Sequence, residues 1–163
     1  MCWAARGRRN LNFEEFLEAV TYSEQAELNW VIDQLDWDNI LPSLLALPKP
    51  CQHLFACRVL IDEINNGGVD AFYYNGNGYL MPLAKEGFAA IGDDEMADMA
   101  GRIDEIYQKN RDILERVYFG DEDCEEGFFD EALHKEFYAL CEKTEARLSA
   151  YVRANAKCFA WKK

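Results

Sequence analysis

Apolar residues recur along this chain at three- and four-residue intervals, and glycines break the recurrence at a few points. That period is helical. Asn12 can cap a first helix with Glu15 three residues on, which leaves Phe13, Phe16, Leu17 and Val20 on one face. Ser23 can cap a second, with Leu28, Val31, Ile32 and Leu35 inward. Trp30 and Trp37 are i and i+7 on it and read as packing between the terminal helices, with an oligomer contact as the alternative. Residues 40–50 hold three of the four prolines and read as a bent connection, with Pro50 in the first turn of the next helix. That helix is apolar around most of its circumference (Leu54, Phe55, Cys57, Val59, Leu60, Ile61, Ile64), so it is the central element. It stops at Gly67-Gly68. A short helix from Val69 to Tyr74 follows, then a turn at Asn75-Gly76-Asn77-Gly78.

Leu80, Leu83, Ala84, Phe88 and Ile91 keep helical spacing up to Gly92. Asp93 or Asp94 caps a long helix with Met96, Met99, Ile103, Ile106, Ile113, Leu114 and Val117 inward, stopped by Gly120. Asp130 caps the last, with Leu133, Phe137, Cys141, Leu148 and Val152 on one face. The pattern predicts an all-α fold: a single compact domain of about seven helices over residues 11–163, preceded by a flexible basic arm over residues 1–10. At 163 residues, half of them apolar, the chain can bury a sizeable core.

Charge changes this picture more than composition does. There are 30 acids against 17 bases, a net charge of -13. Arg6, Arg8, Arg9, Lys157, Lys162 and Lys163 sit at the two ends, so residues 11–156 hold every acid and only the remaining bases. Residues 10–48 contain no base and eight acids, Asp33, Asp36 and Asp38 among them. Residues 117–134 contain no Lys or Arg and include Asp121, Glu122, Asp123, Glu125 and Glu126. Such a body repels nucleic acid and anionic lipid and attracts basic surfaces.

Candidate chemistry is sparse. The segment from Asp121 to Ala132 starts like a calcium loop, but Glu126 stands where glycine is required and Ala132 where a closing glutamate is. Cys51, His53 and Cys57 match no standard zinc spacing. With no nucleophile motif, no phosphate-binding loop and only two histidines, the chain is read as a non-enzyme without metal or cofactor. His134, near a helix start, reads as a solvated polar residue. The six cysteines read as reduced, since the basic N-terminus is followed by no apolar signal region and no membrane-length run exists; the expected location is cytoplasmic.

The run Asn66-Gly67-Gly68-Val69-Asp70-Ala71-Phe72-Tyr73-Tyr74-Asn75-Gly76-Asn77-Gly78 resembles a bacterial family of small acidic helical proteins whose best described member is a DNA-mimic protein. Asn66, Gly67, Gly68, Phe72, Tyr73, Asn75 and Gly78 fit its pattern, as do Ala89-Ala90-Ile91-Gly92 and Leu133, Phe137 and Tyr138 downstream. Val69 stands where an aromatic is usual, and Ala71 where a polar residue is. The resemblance implies an all-helical homodimer that occupies the DNA-binding face of a basic transcription regulator and does not itself bind nucleic acid or membrane. The expected contact acids are Asp33, Asp36, Asp38, Asp93, Asp94, Asp121, Glu122, Asp123, Glu125 and Glu126, which stand at helix ends and in loops poor in bases. Two other functions fit the acidity: an inhibitor or immunity protein that blocks a basic enzyme such as a nuclease, which needs the same acidic face, and an acidic structural module with no specific basic partner, which predicts acids scattered over the whole surface.

Overall fold

A computed structural model describes residues 24–120 and 128–159. The basic arm, the helix expected over 13–20, the acids from Asp121 to Glu126, and Cys2, Cys124, Trp3 and Trp161 lie outside the described residues. Among those described there are seven α-helices and no strand. They are α1 (Glu24–Gln34), α2 (Ile40–Leu45), α3 (Lys49–Tyr74), α4 (Met81–Ala90), α5 (Asp94–Phe119), α6 (Glu131–Ala154) and α7 (Ala156–Phe159), with a 3-10 turn at Asn77–Leu80. The fold is all-α.

α3 is the central element. Its Leu54, Ala56, Cys57, Leu60, Ile61 and Ile64 are fully buried, and α1, α2, α4, α5, α6 and α7 all pack on it. Each large aliphatic side chain removed from water in this way contributes about 1.5–3 kcal/mol. α4 crosses α3 closely at Gly87, where a Cβ would stand 2.6 Å from Cys57 Sγ.

The connection over residues 40–50 is more helical than its prolines suggest. Pro42 lies in the first turn of α2, Pro48 is the cap residue of α3 and Pro50 lies in its first turn. None of these positions needs an intrahelical N–H, so proline fits there without breaking a helix. α1 ends sooner than its spacing implies. Gln34 is its last residue, so Trp37 falls beyond it and is 63% exposed. Trp30 alone keeps the expected packing, edge-on to Phe159 with ring centroids 6.2 Å apart. Ile113 is exposed rather than inward; the face of α5 that reaches the core is carried by Met96, Met99, Ala100, Ile103 and Leu114, with Ile106 and Tyr107 packed at its edge.

The glycine pair does interrupt α3. Gly68 has φ 78° and ψ -178°, a combination open only to glycine. The break is sealed from α6. The Val69 N–H donates to His134 Nε2 at 3.0 Å, and the Tyr138 hydroxyl donates to the Ile64 carbonyl at 3.1 Å. His134 and Tyr138 are one turn apart, so a single face of α6 satisfies both backbone groups that the break exposes. His134 Nδ1 in turn donates to the Asp130 carbonyl at 2.9 Å. These two bonds require the neutral Nδ1–H form, since Nε2 must accept. His134 is thus a structural ligand of the backbone, not a solvated residue.

The rest of the motif is also structural. Phe72 is fully buried, and Tyr73 stacks on Tyr107 with centroids 3.7 Å apart, tying the end of α3 to α5. Burial pushes the Tyr73 phenol well above its ordinary value. Glu63 accepts from the side-chain amides of Asn75 (2.7 Å) and Asn77 (3.1 Å), which holds the turn against α3.

Candidate functional site

The acids divide into those with partners and those without. Lys49, Arg58, Lys85, Arg102, Arg111, Lys135, Lys143 and Arg147 each face a carboxylate within 4.0 Å. The strongest geometry is Arg102 on Glu136, two parallel bonds of 2.6 and 3.0 Å, which holds Glu136 below its ordinary value. Most bases of the body are therefore already engaged. Asp33, Asp36, Asp38, Asp94, Asp98, Glu105, Asp112 and Glu142 are exposed and form no ion pair among the described residues.

Four of these make one line. Asp94, Asp98, Glu105 and Asp112 lie at i, i+4, i+11 and i+18 of α5. At about 100° per residue these positions stay on one face, and at about 1.5 Å per residue the line is about 27 Å long. Of the four, only Asp94 belongs to the acids expected from the sequence. The signal for the others is a seven-residue spacing, 98–105–112, on the polar face of an amphipathic helix.

Asp33, Asp36 and Asp38 form a second group at the corner between α1 and α2. The Asp36 N–H donates to Ser43 Oγ at 3.0 Å, and the Asp38 N–H to Asp36 Oδ1 at 3.1 Å, so the corner has a fixed shape. α1 packs on α3, α6 and α7, whereas α5 packs on α3, α4 and α6, so the two groups stand on different elements.

Asp93 departs from the expectation. It is 1% exposed. Its carboxylate accepts from the Met96 N–H (3.3 Å) and from the Thr144 hydroxyl (2.7 Å), and Arg147 pairs with it at 2.5 Å. It caps α5 and locks that cap to α6, so it is not a surface acid. In sequence it cannot be told from Asp94, which is exposed one position later.

The remaining titratable cluster is internal. Cys51, His53 and Cys57 lie along α3, with Tyr151 and Glu86 beside them. His53 Nδ1 bonds the Tyr151 hydroxyl at 2.9 Å, and Nε2 lies 3.4 Å from Glu86 Oε1. Nε2 makes no hydrogen bond, so the Glu86 contact is an ion-pair distance without bonding geometry. Burial pushes the Cys51 thiol up to about 12 and Cys57 higher still, which makes both inert. Among the described residues no group of three His, Cys, Asp or Glu is placed to hold a metal ion. No helix there is long and apolar enough to cross a membrane.

Burial lowers the His53 pKa, and the nearby Glu86 opposes this only in part. The unfolded chain therefore takes the proton first. Stability from this group is complete above its ordinary value of 6.5 and is lost as pH falls below it. Thermal melts from pH 7.5 to pH 5.5 are expected to show a falling Tm, with a shallower fall in His53→Gln. Equal slopes for the two proteins would show that folding leaves the proton affinity of His53 unchanged.

The family model of the DMP19-like proteins matches residues 45–155. No curated protein matches the chain, and no solved structure does.

Proposed function

The chain belongs to the DMP19-like protein family, a DNA-mimic family, and we propose that it binds the DNA-binding face of a basic transcription regulator and so keeps that protein off DNA. The observation that carries this reading is the line of unpaired carboxylates along α5, which lies within the matched residues. It offers a basic groove four negative charges on one rigid rod, none of them closed into an ion pair among the described residues, with Arg102, Lys109 and Arg116 one turn after Asp98, Glu105 and Asp112. The protein acts by occupancy, without catalysis, in the compartment where that regulator works.

Charge density argues for a homodimer. Duplex DNA presents one charge per about 1.7 Å of axis. Neighbours on the α5 line are separated by about 6–10 Å along the helix. Two copies side by side, with the α1–α2 corner added, approach the density that a DNA-binding face is built to meet.

The test is capture of partners from native lysate at low salt, followed by elution with a salt gradient. Release at moderate salt is expected, because the contact is between exposed charges. Duplex DNA should displace the captured protein, since both ligands use one face. Asp98→Lys with Glu105→Lys should weaken capture tenfold or more and leave the helical spectrum unchanged. A partner that holds DNA and this protein together, or binds equally in high salt, would overturn the reading. A captured nuclease that loses its activity on binding would point instead to an inhibitor.

A further inference from the structure

Trp37 is a large apolar side chain with no place in the core. It stands at 63% exposure in the turn from Asp36 to Asn39, which is closed by the Asn39 N–H on the Asp36 carbonyl at 3.0 Å. The indole is not left out by slack structure, because Leu35 before it is buried and Asp36 is held by Ser43. Its sequence neighbours on both sides are carboxylates, Asp36 and Asp38, and Asp33 is at the nearby end of α1. None of the three has a cation among the described residues. The corner lies before the residues that the family model matches.

An exposed indole attracts cations over its face, and more so when carboxylates flank it. Of the two basic side chains, only arginine can do both jobs at once. Its planar guanidinium stacks on the ring while its edge donates to a carboxylate, and it gives up water more readily than an ammonium. Aromatic anchors of this kind carry a large share of the energy in protein interfaces.

We infer that Trp37 is an arginine-stacking anchor of the partner-binding surface, with the exposed, cation-free carboxylates of Asp33, Asp36 and Asp38 supplying the counter-charge at the same corner. This rests on the DNA-mimic reading and adds to it. The α5 line supplies charge that any cation answers, and the Trp37 corner selects arginine over lysine. The occupant is therefore a basic protein surface rich in arginine, in which the indole face meets side chains that otherwise stack on or bond to nucleic acid.

The experiment compares hexa-arginine and hexa-lysine peptides by calorimetric titration at physiological salt, against the wild-type chain, Trp37→Ala, Trp37→Phe and the Asp98→Lys/Glu105→Lys variant. The wild type is expected to prefer hexa-arginine about fivefold or more. Trp37→Ala should lose that preference, and Trp37→Phe should keep part of it. The α5 variant should weaken both peptides alike and keep the preference. A wild type that does not distinguish the peptides, or a Trp37→Ala that still does, overturns the inference while leaving the α5 surface intact. Loss of binding in neither set of variants overturns both. A Trp37→Ala protein that changes only its sedimentation would show that a second copy of the chain covers the indole, and the inference would be wrong.

Discussion

Replacing Asp93 with alanine is expected to destabilise the fold by about 3 kcal/mol, from the loss of a helix cap and of charge-assisted hydrogen bonds. The carboxylate joins the Met96 N–H, the Thr144 hydroxyl and the Arg147 guanidinium in one buried knot, so its removal unties α5 from α6. In a domain of this size the melting temperature should fall by about 6–12 °C. Asp94→Ala is the control. It removes an exposed acid of the same charge from the next position, and only a favourable helix-dipole contact of about 0.3–1 kcal/mol is lost. Asp93→Asn keeps an acceptor for the cap and should fall between the two. If Asp93→Ala and Asp94→Ala melt together, Asp93 faces solvent and belongs with the surface acids after all.

The second large effect is expected at Gly68. Alanine there meets two obstacles. The φ of 78° with an extended ψ costs a side-chain-bearing residue about 1–3 kcal/mol. The new Cβ also stands 2.9 Å from His134 Nε2. Moving the imidazole away leaves the Val69 N–H without its acceptor, a further loss of about 1–3 kcal/mol. Urea titration of Gly68→Ala should therefore show about 3 kcal/mol less stability. The double variant Gly68→Ala/His134→Ala should be less unstable than the two single effects added, because both singles break the same bond. Strict additivity would mean that the imidazole does not serve this break.

The two experiments separate scaffold from surface, which the sequence does not do by itself. Both Asp93 and Gly68 belong to the scaffold that carries the α5 line. Variants there should lower binding only as far as they lower the folded fraction, whereas charge reversal on α5 should act on binding alone.

The sequence by itself determined that the protein is helical, where the main helices start and stop, and that α3 is the central one. Helical period, capping aspartates and glycine stops are local signals, and each acts through neighbours three or four residues away. The stop at Gly67-Gly68, a cap at Asp93 or Asp94, the cap at Asp130, and the turn after Tyr74 were legible for that reason. The excess of acid over base was equally legible, because it is a count. Only the tertiary structure decided which acids are free. Asp93 and Asp94 are chemically alike and adjacent, and what separates them is the arrival of Thr144 and Arg147 from a helix about fifty residues later. The same holds for His134, whose place was set by a broken backbone on α3, and for Trp37, which fell outside α1 when that helix ended at Gln34. The α5 line was a mixed case. Its seven-residue spacing was written in the chain, but that Asp98 stays out of an ion pair depended on Arg102, one turn after it, finding Glu136 on α6 instead. Long-range pairing is a property of the packed fold, and no local pattern encodes it.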